Sequence, residues 1–355
     1  MRVRVRRATP TARAAIAVLH VEAAPELSGA DASDAVDAVL DRLGVKPVGV
    51  GCAVVRTLGG IDEALVVRPT GAVVQLHPHG SPAVVDAVCA WLASAGVVEH
   101  GGGEAESGAE ARRLYPEAAS EVEALALATL ARAASRRAVE ALLRQPGLWA
   151  DRGAAAPDGE HDRVMDRLVR APTVVAIGPT NIGKSSLLNA LAGRSVAAAA
   201  DEEGTTRDHV GAAVELDGVA VRWLDLPGVR AEGERGKVEA SAAALARAAA
   251  AGAELVVLCA DAGAAGFVDP RGPDALPGLA SGTSVVRCRL RADRAGGGDR
   301  SGEERAVRTS AATGAGLAEL ASAVRRALVP DGALAARRRW RFHPALGPAV
   351  GAEGG

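Results

Sequence analysis

The chain has 355 residues, 48% of them hydrophobic and 24% charged, which is ordinary for a globular protein with about two domains. A formal net charge of -2 excludes a protein that coats nucleic acid by overall positive charge, and no apolar run reaches the length of a membrane span. Aromatic residues make up only 2%, so the core must be built from Ala, Val and Leu. Lysine supplies just Lys46, Lys184 and Lys237 of the 41 basic residues, so a well-placed lysine is informative.

From the N-terminus, Ala15 to Val21, Val50 to Arg56, Ile61 to Arg68 and Ala72 to His77 are Val-rich runs with strand character. Gly59-Gly60 and Pro69-Thr70-Gly71 separate some of them as turns. Asp31 to Leu43 and Ser81 to Ala95 space their apolar residues at helical intervals. Residues 1–100 therefore read as a small α+β domain. Two Gly-rich or acidic stretches, 101–110 and 146–161, read as linkers. Between them one long helix is expected from Glu117 to Arg144, ended by Gln145-Pro146-Gly147. Residues 101–170 are thus a linker and a partial helical segment. From 171 to 328 strands and helices alternate, the pattern of an α/β sheet. The remainder, 329–355, is expected to be a loose basic tail, and its Arg337 to Arg341 run with Trp340 could touch RNA by phosphate contact and stacking.

The four cysteines, Cys52, Cys89, Cys259 and Cys288, form no C-x-x-C pair and are read as small core residues. His77 and His79, two apart, would share a strand face; a metal site there is weighed against turn and core histidines. No secretory leader pattern is present, and a cytoplasmic location is expected.

The chemistry concentrates after 171. Thr173 to Ile177 is a buried strand, followed by Gly178-Pro-Thr-Asn181-Ile182-Gly183-Lys184-Ser185-Ser186 and a Leu-rich helix. This is G-x-x-x-x-G-K-[ST] between strand and helix, in which backbone N–H groups and the helix N-terminus cradle a phosphate. Lys184 would reach the β- and γ-phosphates, and the Ser185 hydroxyl would ligate Mg²⁺. Gly204-Thr205-Thr206-Arg-Asp208 follows about 20 residues later. In this place it is a candidate switch, with Thr206 favoured over Thr205 as a Mg²⁺ ligand. Asp225-Leu-Pro-Gly228 caps the next strand: Asp225 would hold the Mg²⁺ hydration shell and the Gly228 N–H would sense the γ-phosphate. Leu290-Arg291-Ala292-Asp293 and Ser310-Ala311-Ala312-Thr313-Gly314 close the set.

In order, these segments resemble the five guanine-nucleotide motifs of TRAFAC-class GTPases. NIGKSSLLNALAGR, GTTRD and DLPGVR resemble, more narrowly, the MnmE/TrmE family of tRNA-modification GTPases within the Era-like branch. Ala8-Thr9-Pro10, Ile61 to Val67 and His79-Gly80 resemble that family's N-terminal domain, and Glu123 to Gly147 the first helix of its helical domain. The resemblance implies GTP and GDP binding with Mg²⁺, slow hydrolysis as a switch, and a role in tRNA wobble modification. It implies a homodimer held through the N-terminal domain, a tRNA or other RNA partner, an FAD-dependent partner subunit and a folate one-carbon donor. Asp293 corresponds to the carboxylate that reads guanine, with Arg291, Ser310 and Ala311 beside the base. Leu290 stands where the family has an asparagine amide that braces this loop. Val229 occupies the place of a water-positioning glutamine, so the Val238-Glu239 pair supplies the candidate catalytic glutamate, and Asn181 the candidate K⁺ ligand. No cysteine follows Cys288, so the family's C-terminal C-x-G-K motif is missing and the helical domain is short. The expectation is that this chain does not complete wobble-uridine modification even with the family's FAD-dependent partner. Another RNA-related GTPase, such as one in ribosome assembly, and a non-hydrolysing scaffold are the competing readings.

Overall fold

The computed structural model describes residues 2–9, 14–99, 107–133, 135–193, 210–225, 252–264, 266–267, 282–294 and 306–347. They divide into two compact units: 1–133 with 139–162 and 337–355, and 134–138 with 163–336.

The first unit carries a six-stranded sheet of β1 (Val3–Arg7), β2 (Leu19–Ala23), β3 (Cys52–Leu58), β4 (Asp62–Thr70), β5 (Val73–His77) and β6 (Val98–Glu99), in the order β3-β4-β5-β2-β1-β6. All neighbours are antiparallel except β1 and β6. Period-2 alternation sends Val3, Val5, Leu19, Val21, Val66, Val74 and Leu76 into one core. There they pack with Val36, Val39 and Leu40 of α1 (Gly29–Arg42) and Val88 and Leu92 of α2 (Pro82–Ser94). Gly59 and Gly60, both at positive φ, make the tight β3–β4 turn that only glycine takes without strain. The basic run at the N-terminus gave no strand signal, yet it forms β1. Its arginines are tolerated because Arg4 donates to the fully buried Glu22 at 2.7 Å and Arg113 pairs with Glu22 at 3.0 Å. His20, also fully buried, is pushed down to about 4 by burial and is neutral at pH 7.

The single helix expected from Glu117 to Arg144 is instead two. After α3 (Gly108–Leu114), Ser120 caps α4 (Glu121–Leu130) by accepting the Glu123 N–H at 3.1 Å, while Glu123 accepts the Ala119 N–H at 2.7 Å. Ser135 then opens α5 (Arg136–Ala150), accepting the Ala138 N–H at 3.3 Å and donating to the Leu168 carbonyl at 2.9 Å. Pro146 does not end α5, because tertiary contacts hold the turn after it. Gln145 accepts the Trp340 N–H at 2.8 Å and Trp149 donates to the Trp340 carbonyl at 3.3 Å. The supposed linker over 146–161 also contains the start of α6 (Gly159–Asp166). The expectation of a loose tail fails for its described part, 329–347. Trp340 is fully buried, and Arg341 donates to Asp162 at 2.7 Å. Trp340 therefore has no face to offer a nucleotide base.

The second unit is α/β. Its sheet runs β12-β11-β10-β7-β9-β8, with β7 (Thr173–Ile177), β8 (Val210–Leu216), β9 (Val219–Asp225), β10 (Leu255–Asp261), β11 (Ser284–Leu290) and β12 (Val307–Arg308). Only β8, paired with β9, is antiparallel. β7 is buried along its whole length and apolar after Thr173, as suits a central parallel strand covered on both faces. Helices α7 (Lys184–Ala192), α8 (Leu317–Leu328) and α9 (Asp331–Ala335) complete the described part. Strand order reverses at β7, so ligands are expected beyond the carboxyl ends of β7, β9 and β10. Among the described residues no helix is long and apolar enough to cross a membrane.

Candidate functional site

The loop from β7 to α7 lies at that reversal point. Gly178 is held against β10 so closely that a Cβ there would stand 2.3 Å from the Cys259 carbonyl oxygen, which accounts for glycine at the first position. Asn181 takes a left-handed φ of 61° and is exposed, Ile182 is buried, and Gly183 at φ 101° turns the chain into α7. The start of α7 thus faces the loop's interior with its unpaired N–H groups and positive dipole end.

Lys184, the first residue of α7, is 7% exposed and donates its Nζ to the carbonyls of Gly178 at 3.1 Å and Pro179 at 2.9 Å. Burial pulls its ammonium below the ordinary lysine value, against the opposing pull of Asp225 and Cys259. A cation folded back over such a loop is a ready counter-charge for a phosphate. Ser185 donates its hydroxyl to Oδ2 of Asp225, at the end of β9. The other carboxylate oxygen of Asp225 is buried with no hydrogen-bond partner among the described residues. A buried carboxylate oxygen without a partner, beside a serine hydroxyl, is a donor set suited to a hard divalent cation and its waters. Ser186 is exposed one position further along the helix.

The second cluster lies at the ends of β11 and β12. Asp293 is exposed, and its carboxyl is held below the ordinary aspartate value chiefly by a hydrogen bond from Ser310. Ser310 is buried and ties its own turn together: its Oγ accepts the Thr313 N–H at 3.2 Å and its carbonyl the Gly314 N–H at 2.8 Å. The Ala292 N–H donates to the Thr309 carbonyl at 3.0 Å, joining this turn, which includes Ala311, to the loop of Arg291 and Asp293. Leu290 is buried at the end of β11. Arg291, at φ 59°, turns its guanidinium onto Asp261, the last residue of β10. Asp261 gave no sequence signal beyond its place at the end of a buried strand.

Thr205, Thr206, Gly228 and Glu239 lie outside the described residues. The histidine pair does not make a metal site. His79 binds Asp62 through Nδ1 at 2.8 Å, His77 lies 3.4 Å from the Gln75 side-chain oxygen, and among the described residues no group of three metal-ligating side chains occurs.

Residues 173–274 match the family model described as "50S ribosome-binding GTPase". The tRNA modification GTPase MnmE of Acidiphilium cryptum is 39% identical over 171 residues, covering 47% of this chain and 36% of that protein. Its counterpart in Novosphingobium aromaticivorans is 37% identical over 199 residues, 55% of this chain and 39% of that protein. The chain therefore carries a P-loop GTPase domain and is similar to MnmE proteins over about half of its length. Among solved structures, the G domain of the T. maritima FeoB iron transporter is 28% identical, with a TM-score of 0.32 and coverage of 44% of this chain and 99% of that one. The chain spans less than half the length of these two curated relatives.

Proposed function

We propose that the chain binds GTP and GDP at the Gly178–Ser185 loop and hydrolyses GTP slowly as a conformational switch in tRNA wobble-uridine modification. The observation that carries the nucleotide reading is the geometry around Lys184. Its buried ammonium lies on the loop carbonyls, beside the Ser185–Asp225 pair with its unpartnered carboxylate oxygen. Ser185 and Asp225, with Thr206, would hold Mg²⁺, which when bound offsets the charge of the β- and γ-phosphates. Lys184 and the loop N–H groups bind and orient the phosphates, and Asp293 accepts from the guanine edge, which adenine cannot match.

The remaining roles rest on the resemblance. Gly228 senses the γ-phosphate, Glu239 positions the attacking water, and Asn181, exposed in the phosphate loop, ligates K⁺. The homodimer reading has further support in the first unit, where Val55 of edge strand β3 and Leu65 of β4, cross-strand partners, are 60% and 39% exposed. An FAD-dependent partner, tRNA, and a folate donor in the N-terminal domain are carried over from the family alone. The match to the "50S ribosome-binding GTPase" model favours one second reading, a GTPase of ribosome assembly.

Titration with fluorescent GDP, competed by GTP and ATP, tests the binding site, and ATP competing as well as GTP would refute guanine selection. Hydrolysis is expected to be faster in K⁺ than in Na⁺, and Glu239→Ala to lower kcat at nearly unchanged nucleotide affinity. Equal rates in both salts together with a fully active Glu239→Ala protein would remove this mechanism. Wobble-nucleoside analysis of a deletion strain separates the tRNA reading from the ribosomal one.

A further inference from the structure

We propose that Asp261 is a positioning residue for guanine recognition, clamping Arg291 so that Asp293 is presented to the base. The proposal rests on the guanine-nucleotide reading of the site and names a residue outside its recognised motifs.

Strands β10 and β11 are parallel and in register, with Asp261 opposite Leu290. Leu290 is the residue whose side chain cannot brace the loop, since it is aliphatic and buried at 3% exposure. The bracing therefore has to come from the neighbouring strand. Asp261 uses both carboxylate oxygens: Oδ1 accepts the Gly263 N–H at 3.1 Å, and Oδ2 pairs with the Arg291 guanidinium. Its main chain is pinned as well. The Arg289 guanidinium donates to the carbonyls of Asp261 at 3.2 Å and Ala264 at 2.8 Å, and the Ala262 N–H donates to the Leu290 carbonyl at 2.8 Å.

What is being held is a strained turn. Arg291 has φ 59°, a conformation that is strained for a non-glycine residue and persists only where surrounding contacts enforce it. Backbone bonds from Ala292 to Thr309 and from Arg294 to Arg291, both 3.0 Å, close the turn, but neither fixes the arginine side chain. The ion pair with Asp261 does. Arg291 Nε is buried and has no partner among the described residues, so the guanidinium keeps an N–H uncommitted beside the loop that carries Asp293. Arg291 precedes Asp293 by two residues, so fixing the one restricts the other. Asp261 acts through Arg291, without itself touching nucleotide.

The experiment measures release of mant-GDP and of mant-ADP from the full chain for wild type, Asp261→Asn, Arg291→Ala, the double variant and Asp261→Glu, with thermal melting alongside. Because both side chains of the pair are about one-third exposed, Asp261→Asn and Arg291→Ala are each expected to release mant-GDP about fivefold faster. The double variant should do no worse than the singles, since either change breaks the same clamp. The ratio of GDP to ADP binding should narrow in Asp261→Asn, and Asp261→Glu should recover most of the wild-type rate. A purely structural role would instead weaken both nucleotides alike. Wild-type release from Asp261→Asn, or a double variant whose effect is the product of the singles, overturns the clamp while leaving the guanine site standing. If Asp261→Asn fails to fold, Arg291→Ala against Arg291→Lys decides, and wild-type release from Arg291→Ala overturns the proposal. A wild-type chain that binds no mant-GDP overturns the guanine reading and the clamp together.

Discussion

On the proposed reading, the phosphate end of the site recognises through main-chain N–H groups shaped by Gly178, Gly183 and the start of α7, with Lys184 as the side chain folded over the loop. On the same reading, the work at the guanine end would fall to the side chains of Arg291, Asp293 and Ser310, carried on a turn that ordinary residues must hold in place. Beside the family that the chain resembles, the G-x-x-x-x-G-K-S pattern is complete at the first end, whereas at the second Leu290 stands in place of an asparagine. A backbone cradle tolerates few substitutions, because Gly178 answers to its close approach to Cys259 and Gly183 to its left-handed φ of 101°. A reader built from side chains can be rebuilt, because another residue can supply the brace, as Asp261 does.

If that contrast is right, the phosphate end should be the more fragile. Lys184→Ala removes the only cation shown in the loop and is expected to weaken mant-GDP binding by at least about 100-fold, in line with a lost charge-assisted contact to phosphate. Unchanged affinity in that variant would sink the assignment. Gly178→Ala sets a methyl against the Cys259 carbonyl, which is backbone and cannot swing aside. It should cost about 1–3 kcal/mol of stability, seen as a lower melting temperature, and loosen nucleotide binding as the loop shifts. A wild-type melt would show that the loop can give way and that the cradle is less rigid than argued.

At the guanine end the expected effects are smaller. Asp293→Asn exchanges an acceptor-only carboxylate for an amide whose N–H₂ faces guanine donors, and GDP affinity should fall about tenfold while ADP affinity hardly changes. Equal losses for both nucleotides would mean that Asp293 supports the fold and does not read the base.

The two ends also differ in how far they can be read from the sequence. The phosphate loop needs residue types at fixed spacing after a strand, and Gly178, Lys184 and Ser185 lie where that spacing puts them. The α/β alternation was equally plain, because residues 174–177 of β7 and 255–260 of β10 are unbroken apolar runs. Arg291's partner was not legible: Asp261 is 30 residues away, and only the β10–β11 register brings the two together. The same reason hid β1, whose arginines look like a solvated run until Glu22 is seen opposite them. The helix boundary at Ser135 and the packed segment around Trp340 depend on tertiary partners far along the chain, so local punctuation such as Pro146 and the Arg-rich composition pointed the wrong way.

Leu290→Asn gives the sharpest test of the contrast, since its sign is opposite to the others. Leu290 is buried, with its carbonyl engaged by the Ala262 N–H at 2.8 Å. Replacing it with asparagine removes apolar volume and buries an amide, which should destabilise the unit by about 1–3 kcal/mol unless the amide finds partners. If the Asp261–Arg291 clamp replaces only part of the brace that the family's asparagine gives, nucleotide affinity should nevertheless rise, by about threefold for one added neutral hydrogen bond. A lower melting temperature with slower mant-GDP release is therefore the expected pair of results. Lower stability with faster release would mean that the Asp261–Arg291 clamp and Leu290 have settled into one packing arrangement that the asparagine disrupts. The guanine end would then be as intolerant of substitution as the phosphate end, and the contrast between them would fail.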